Sequence, residues 1–317
     1  MSASSFVDVR HVFVDYAPPT GLLSRISGKE TPARSVLRDI TFQLRADEHV
    51  TLFGVSGSGK STLLRALAGV LSPSRGHITI NGKPATQIKD LASGYISIEE
   101  SEPEKETVAQ ILHAFAKTHS ISSAPARIGV VAEKLNLNSF FDRTAISLST
   151  TERLRLNLAR AALGSSPLVL LDDVTDQLGA SVVSGLLRDL FPGRAVISAV
   201  RSVTEAEQLK LPIMLLHNGT LAHFGTCDAI GSSTGCPRVV NVWVEGLRYD
   251  LLRALKHQPG VLEARLVPTD QFEGQRLRVT VRSTRYLPSF YDLISQASLI
   301  RIEEEPVSLE EIVASLK

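Results

Sequence analysis

The chain is poor in several things that would each announce a class of protein. It has two cysteines, Cys227 and Cys236, in 317 residues. They do not form a C-x-x-C pair, and with His217 and His223 upstream the spacing fits no common zinc finger. They read as reduced cysteines in a loop-rich segment, and no zinc is expected. No apolar run approaches the roughly twenty residues of a membrane span, so any membrane association must run through a partner or a surface. Charge of one sign is not in excess either: 34 Lys and Arg stand against 33 Asp and Glu. That balance argues against a dominant nucleic-acid footprint, and no nucleic-acid partner is expected. Met1–Arg10 lacks the basic start and apolar block of a signal peptide, so a cytoplasmic location is expected. What remains, 43% hydrophobic and 21% charged residues, is the composition of an ordinary globular protein, of two domains at this length.

The densest signal is Gly54-Val55-Ser56-Gly57-Ser58-Gly59-Lys60-Ser61-Thr62, which fits G-x-x-x-x-G-K-[ST]. Glu48–Phe53 before it reads as a short buried strand and Ser61–Gly69 after it as a helix. Strand, glycine loop and helix in that order bring backbone N–H groups onto the phosphates of a nucleoside triphosphate, where side chains at the glycine positions would block approach. The helix N-terminus adds its positive dipole end. In such a loop Lys60 reaches the β- and γ-phosphates and the Ser61 hydroxyl ligates Mg²⁺. The candidates for nucleotide contact are Gly54, Ser56, Gly57, Gly59, Lys60, Ser61 and Thr62.

Around this loop the chain changes character several times. Phe6–Tyr16 alternates like a half-buried antiparallel strand, Pro18–Arg34 breaks into a surface loop, and Val36–Leu44 resumes β character. Gly76–Asn81 with Gly82 reads as a hairpin edge. From about Thr107 to Leu163 helical periods take over. Pro167–Leu171 and Ala195–Val200 are fully buried strands by composition, separated by a helix at Val182–Leu190, and Ile213–Phe224 closes with a hairpin turned at Asn218-Gly219. Gly231–Pro237 is the linker candidate. Beyond it the elements run βαββαβ, the order of a ferredoxin-like split unit, with a last helix at Leu309–Leu316. The expected architecture is α/β: a P-loop NTPase core of mostly parallel strands over residues 1–230, with an antiparallel β subdomain and a helical subdomain at about 99–163. A linker at 231–237 then leads to a small α+β ferredoxin-like domain at 238–317.

Two further motifs give the loop its context. Leu168-Val169-Leu170-Leu171-Asp172 is a buried strand ending in a carboxylate placed to reach the Mg²⁺ held by Ser61. Leu148-Ser149-Thr150-Thr151-Glu152 opens a helix between the two. With these the chain resembles the nucleotide-binding subunits of ATP-binding cassette transporters, over about residues 6–230. The resemblance implies that ATP and Mg²⁺ are the ligands and that Tyr16 stacks on adenine. It implies that two cassettes sandwich two ATP molecules, the glycine loop of one facing the L-S-G-G-Q signature, here at Ser149, of the other. It also implies integral membrane subunits as partners and a peripheral place on the inner face of the membrane. The C-terminal part, with the ending Glu305–Val313, looks like the small appended domain of subunits serving drug, lantibiotic and polysaccharide exporters.

The departures from that family are specific. Its catalytic glutamate is here Asp173, about one methylene further back. Its switch histidine aligns with Arg201, and the Asp closing the next loop with Gly179. Its metal-touching glutamine aligns with Ile98, or with Glu99 after a shift of one residue. The signature keeps Leu148 and Ser149 but carries Thr150, Thr151 and Glu152 in place of two glycines and a glutamine, so β-branched side chains and a negative charge crowd a phosphate's approach. Because misplacement by about 1 Å costs on the order of a hundredfold, the expectation is normal Mg·ATP binding with slow hydrolysis. Asp173 and Arg201 are the altered catalytic positions. Such a chain is expected to be the degenerate half of a heterodimeric exporter ATPase; the alternatives are a slow homodimer and an ATP-driven clamp or regulatory subunit without transport. The acidic stretch Ile98–Glu106 is the segment in which membrane docking is expected.

Overall fold

The computed structural model describes residues 6–16, 34–97, 105–245, 249–268, 275–295 and 297–315. The surface loop expected at Pro18–Arg34 therefore lies outside the described residues save Arg34, as do Ile98, Glu99 and most of the acidic stretch that follows. Two compact units divide between Phe224 and Gly225.

In the first unit the order begins β1 (Val7–Tyr16), β2 (Arg34–Leu44), β3 (His49–Phe53), α1 (Lys60–Leu67), β4 (Arg75–Ile80), β5 (Lys83–Pro84) and β6 (Tyr95–Ser97). The helices α2 (Val108–Thr118), α3 (Ala124–Lys134) and α4 (Thr150–Leu163) follow. Then come β7 (Leu168–Asp172), α5 (Val174–Leu178), α6 (Ala180–Leu190), β8 (Ala195–Val200), α7 (Val203–Leu209), β9 (Ile213–His217) and β10 (Thr220–Gly225).

An antiparallel sheet of order β2-β1-β4-β5 faces a sheet of order β10-β9-β3-β8-β7-β6. Val7, Val9, Val12 and Val14 of β1 are all buried, although the step from Val9 to Val12 breaks the period of two that a regular strand imposes. A register irregularity between Val9 and Val12 absorbs the extra residue, with His11 at a φ of 48°. Gly76 of β4 lies opposite, where a Cβ would collide with the carbonyl of His11. In the second sheet β9, β3, β8, β7 and β6 run parallel to one another. Every residue of β7 and β8 is buried, as uninterrupted apolar strands covered on both faces require. Leu63, Leu64 and Leu67 of α1 join the core shared by the two sheets.

The helical stretch starts with a capping box: the Thr107 hydroxyl accepts from the Gln110 N–H at 3.2 Å, and the Gln110 side chain accepts from the Thr107 N–H at 2.9 Å.

In the second unit α8 (Cys227–Thr234) covers much of the expected linker, so those residues are helical. Its cap is the Thr226 hydroxyl, which accepts from the Ala229 N–H at 3.3 Å. Then follow β11 (Arg238–Glu245), α9 (Tyr249–His257), β12 (Val261–Val267), β13 (Gln275–Val281), α10 (Leu287–Ile294), β14 (Ser298–Glu304) and α11 (Leu309–Ser315). Sheet order β12-β13-β11-β14 is that of a split βαβ unit. Val240, Val242 and Val244 alternate onto one core with Leu277, Val279, Val281, Leu255 and Phe290. Both cysteines are free, and Cys236 is buried. Among the described residues no group of His, Cys, Asp and Glu could hold a metal ion by side-chain clustering alone, and no helix is long and apolar enough to cross a membrane.

Candidate functional site

Neighbouring parallel strands β3, β8 and β7 end on the same edge of the sheet, and everything chemical gathers there. From β3 runs the glycine loop, from β8 Arg201, and from β7 Asp172 and Asp173. In an open α/β sheet the carboxyl ends of the strands are where a ligand crevice forms. The loop's glycines are required by space as much as by conformation. A Cβ on Gly54 would strike the Leu216 carbonyl, and at Gly59, with a φ of 106°, it would lie 2.8 Å from Leu37 Cδ2. Gly59 is also the residue from which α1 starts, so the first N–H groups of α1 follow directly on the loop.

Lys60 is only 7% exposed, and its Nζ donates to the Gly54 carbonyl at 2.7 Å. Burial lowers its pKa, against the opposing pull of Asp173 and Asp172. The ammonium is thus folded back on its own loop, desolvated and close to two carboxylates.

Asp172, 5% exposed, ends β7. Its Oδ2 accepts from the Tyr95 hydroxyl at 2.9 Å. Oδ1 is buried with no hydrogen-bond partner. Burial raises the pKa of this carboxyl most; hydrogen bonds from Ser61 and Tyr95 draw it back, Asp173 adds to the rise and Lys60 opposes it. Asp173 follows with a left-handed φ of 56°, a conformation that Asp tolerates better than most residues, and stands at the start of α5 without a side-chain capping hydrogen bond. Its Oδ2 accepts from Arg201 Nε at 2.8 Å and lies 2.7 Å from a terminal guanidinium nitrogen. Asp173 Oδ1 is buried without a partner as well. The Arg201 side chain is 63% exposed, and its hydrogen bond to Asp173 raises its pKa.

These groups fit a small divalent cation. The Ser61 hydroxyl hydrogen-bonds the Asp172 carboxyl, which keeps Oδ1 buried without a partner, and hard oxygen donors of this kind suit Mg²⁺. Ser61 and Asp172 are the residues that would hold it.

Tyr16, 41% exposed, lies at the end of β1 with its hydroxyl 3.5 Å from the Thr62 hydroxyl, so the aromatic sits at the side of α1. A cleft of about 770 Å³ opens beside the loop, bordered by Phe13, Arg34, Val36, Gly57, Arg75 and Gly219. Ser149 is placed differently. It is the N-cap of α4, accepting from the Glu152 N–H at 3.3 Å, while Glu152 Oε2 accepts from the Ser149 N–H at 2.8 Å and from its hydroxyl at 2.9 Å. Arg143 donates to the other Glu152 oxygen at 2.8 Å and to the Ser147 carbonyl at 2.6 Å. The hydrogen bond from the Ser149 N–H and its own hydroxyl hold the Glu152 carboxyl below its usual range, with Arg143 assisting. None of these hydrogen bonds reaches Lys60, Ser61 or Asp172. The chain by itself brings together the loop, Asp172, Asp173 and Arg201; Ser149 and Glu152 close on each other.

Tyr95, Arg143 and Glu205 belong to this chemistry without any sequence signal having selected them. Glu205 accepts from the Thr175 hydroxyl and from the Arg201 N–H, both at 3.3 Å. Gly179 has a φ of 83° and opens α6.

A family model described as ABC transporter matches residues 37–176. The chain is 29% identical over 214 residues to the glutathione/L-cysteine transport system ATP-binding/permease protein CydC of Escherichia coli, which covers 61% of this chain and 36% of that protein. It is 30% identical over 218 residues to the probable sulfate/thiosulfate import ATP-binding protein CysA of Chlorella vulgaris, 66% of this chain and 92% of that one. With the retinal-specific phospholipid-transporting ATPase ABCA4 of Bos taurus it shares 26% identity over 288 residues, 87% of this chain but 12% of the relative. The chain thus spans about a third of CydC and a far smaller part of ABCA4. Among solved structures, one described as the ATP-binding subunit of an ABC transporter superposes with a TM-score of 0.60 at 22% identity, over 73% of this chain and 94% of the other. A dimeric ATP-binding cassette in a post-hydrolysis state with ADP and Pi gives 0.57 at 18%, over 69% and 98%.

Proposed function

The chain belongs to the ABC transporter family as a nucleotide-binding cassette, and from that premise we propose that it is the ATP-binding subunit of a membrane exporter, built to hold Mg·ATP and to hydrolyse it slowly by itself. The observation that carries this reading is the ion pair between Asp173 and Arg201, set beside a complete glycine loop.

Binding follows from the loop. Its N–H groups and the α1 dipole meet the phosphates, Tyr16 offers a ring to the base, and Lys60 exchanges the Gly54 carbonyl for a phosphate oxygen. Bound Mg²⁺ would neutralise phosphate charge, with Ser61 and Asp172 as its protein ligands. Hydrolysis asks for a carboxylate free to orient and deprotonate water. Asp173 has one oxygen tied to a guanidinium and a side chain one methylene shorter than glutamate. A displacement of about 1 Å at such a position costs on the order of a hundredfold. Arg201 brings a permanent positive charge where the family has a titratable histidine.

The signature end points the same way. The N-terminus of α4 already holds an anion, the Glu152 carboxylate, so an ATP on a facing subunit meets a satisfied helix end and a like charge. A partner cassette with the complete glutamate and histidine would then do most of the turnover, the pair sitting on integral membrane subunits at the inner face of the membrane. Export rests on the likeness of the second unit to the small appended domain of exporter subunits; the match to the phospholipid-transporting ATPase ABCA4 runs over 87% of the chain and that to the import protein CysA over 66%.

The test is phosphate release by the purified chain, its Asp173→Glu/Arg201→His double variant and Lys60→Ala. We expect Mg·ATP binding that Lys60→Ala removes, very slow turnover, and a gain of about a hundredfold in the double variant. Turnover of the unmodified chain at an ordinary transporter rate, abolished by Lys60→Ala, would sink the slow-site reading.

A further inference from the structure

We propose that Tyr95 is a positioning residue for the magnesium carboxylate, its hydroxyl fixing Asp172 so that Oδ1 is left for the cation. The inference rests on the Mg·ATP reading above and gives that site a further member. β6 pairs in parallel with β7, Tyr95 opposite Leu170 and Ser97 opposite Asp172. Residues two apart on a strand share a face, so the ring of Tyr95 lies on the same face as Asp172, one pleat back along the neighbouring strand. Its hydroxyl closes that distance at 2.9 Å, onto Oδ2 and not Oδ1.

The chemistry of Asp172 explains why such a partner is needed. A carboxylate that is 5% exposed loses most of its hydration, and each buried oxygen left without a donor is destabilising. One oxygen is satisfied and one is not. A donor on the neighbouring edge strand, held in register by its pairing with β7, removes the two-fold freedom of the carboxyl about its last torsion, and a phenol in its ordinary range keeps its proton to donate at neutral pH. A phenylalanine in the same place would fill the same volume and leave the carboxyl with only the Ser61 hydroxyl, the group that the cation would itself engage. Outer partners of this kind orient the groups that touch a metal, and their removal costs about 10–100-fold in metal affinity. Placement adds a consequence: β6 leads directly into the segment where docking to a membrane subunit is expected, so the same hydroxyl links that strand to the metal carboxylate.

The test measures the affinity of a fluorescent ATP analogue for the full chain in Mg²⁺ and in EDTA, and Mn²⁺ binding by electron paramagnetic resonance with the analogue present. Wild type, Tyr95→Phe, Tyr95→Met and Asp172→Asn are compared. Expected is an unchanged affinity in EDTA for both Tyr95 variants, with the gain from Mg²⁺ and the Mn²⁺ affinity reduced by about 10–100-fold. Asp172→Asn loses the gain altogether. A full Mg²⁺ gain in Tyr95→Phe overturns the proposal, and so does a loss in only one of the two Tyr95 variants, which would blame the ring and not the hydroxyl. A wild type that gains nothing from Mg²⁺ would instead overturn the Mg·ATP reading on which the proposal stands.

Discussion

Replacing Arg201 by alanine tests whether the guanidinium holds Asp173 as tightly as the slow-site reading requires. The two partners differ in environment: the Asp173 side chain is 12% exposed and that of Arg201 63%. An ion pair between exposed groups contributes about 0.2–1 kcal/mol. Here the acid is buried, and taking its donor away strips Oδ2 as well as leaving Oδ1 bare, which adds about 1–3 kcal/mol of uncompensated desolvation, moderated by the room for water where the arginine leaves. Arg201→Ala should therefore cost about 1–2 kcal/mol, or about 2–8 °C in melting temperature for a unit of this size. A double-mutant cycle isolates the pair. Asp173→Asn is the right second variant, because the left-handed φ of 56° suits Asn and would penalise Ala. Urea unfolding of the four proteins should give a coupling of about 1 kcal/mol. Coupling below about 0.3 kcal/mol, within ordinary additivity, would show that Arg201 does not restrain Asp173, and the explanation offered for slow turnover would fall with it.

Two further outcomes follow from the buried carboxylates. Burial places the Asp172 pKa above its unfolded value, so its protonated form stabilises the fold at low pH and that contribution is lost as pH rises through the folded pKa; Asp172→Asn should raise the nucleotide-free melting temperature at pH 7 and leave it nearly unchanged at pH 3, in scanning calorimetry. Glu152 has the opposite sign. Its folded pKa is depressed from 4.5, so its contribution is present above that pH and lost below it; Glu152→Ala should cost about 0.3–1 kcal/mol at pH 7 and progressively less as the pH falls under 4.5, and a constant difference would contradict the capping role.

Much of the frame was legible because it is written in local patterns. The unbroken apolar runs of β7 and β8, the glycine loop between β3 and α1, and the serine opening α4 each carry their meaning within a few residues. Other features depend on residues far apart. Tyr95 reaches Asp172 across 77 positions of sequence, and nothing next to either residue announces the other. The short helices α5, α7 and α8 have too few turns for a hydrophobic period, and α8 was hidden under Gly-Ser-rich composition that reads as linker. The sequence placed Glu152 as a repelling charge; the reciprocal bonds to Ser149 and the clamp by Arg143 needed coordinates. The approach of Tyr16 to Thr62, with the two hydroxyls 3.5 Å apart, likewise joins residues 46 positions apart.

The closed end of α4 has a consequence for how this surface answers a ligand. Glu152 is tethered three residues from the N–H it accepts from, so it competes for that end of the helix at an effective concentration set by the backbone, of millimolar order or above. Under the proposed pairing, a phosphate brought by a facing subunit would not fill an empty site; it would have to displace an intramolecular rival. Occupancy of this face then becomes a matter of threshold: dilute nucleotide leaves the end shut on itself, and only a ligand held in place by many other contacts can open it.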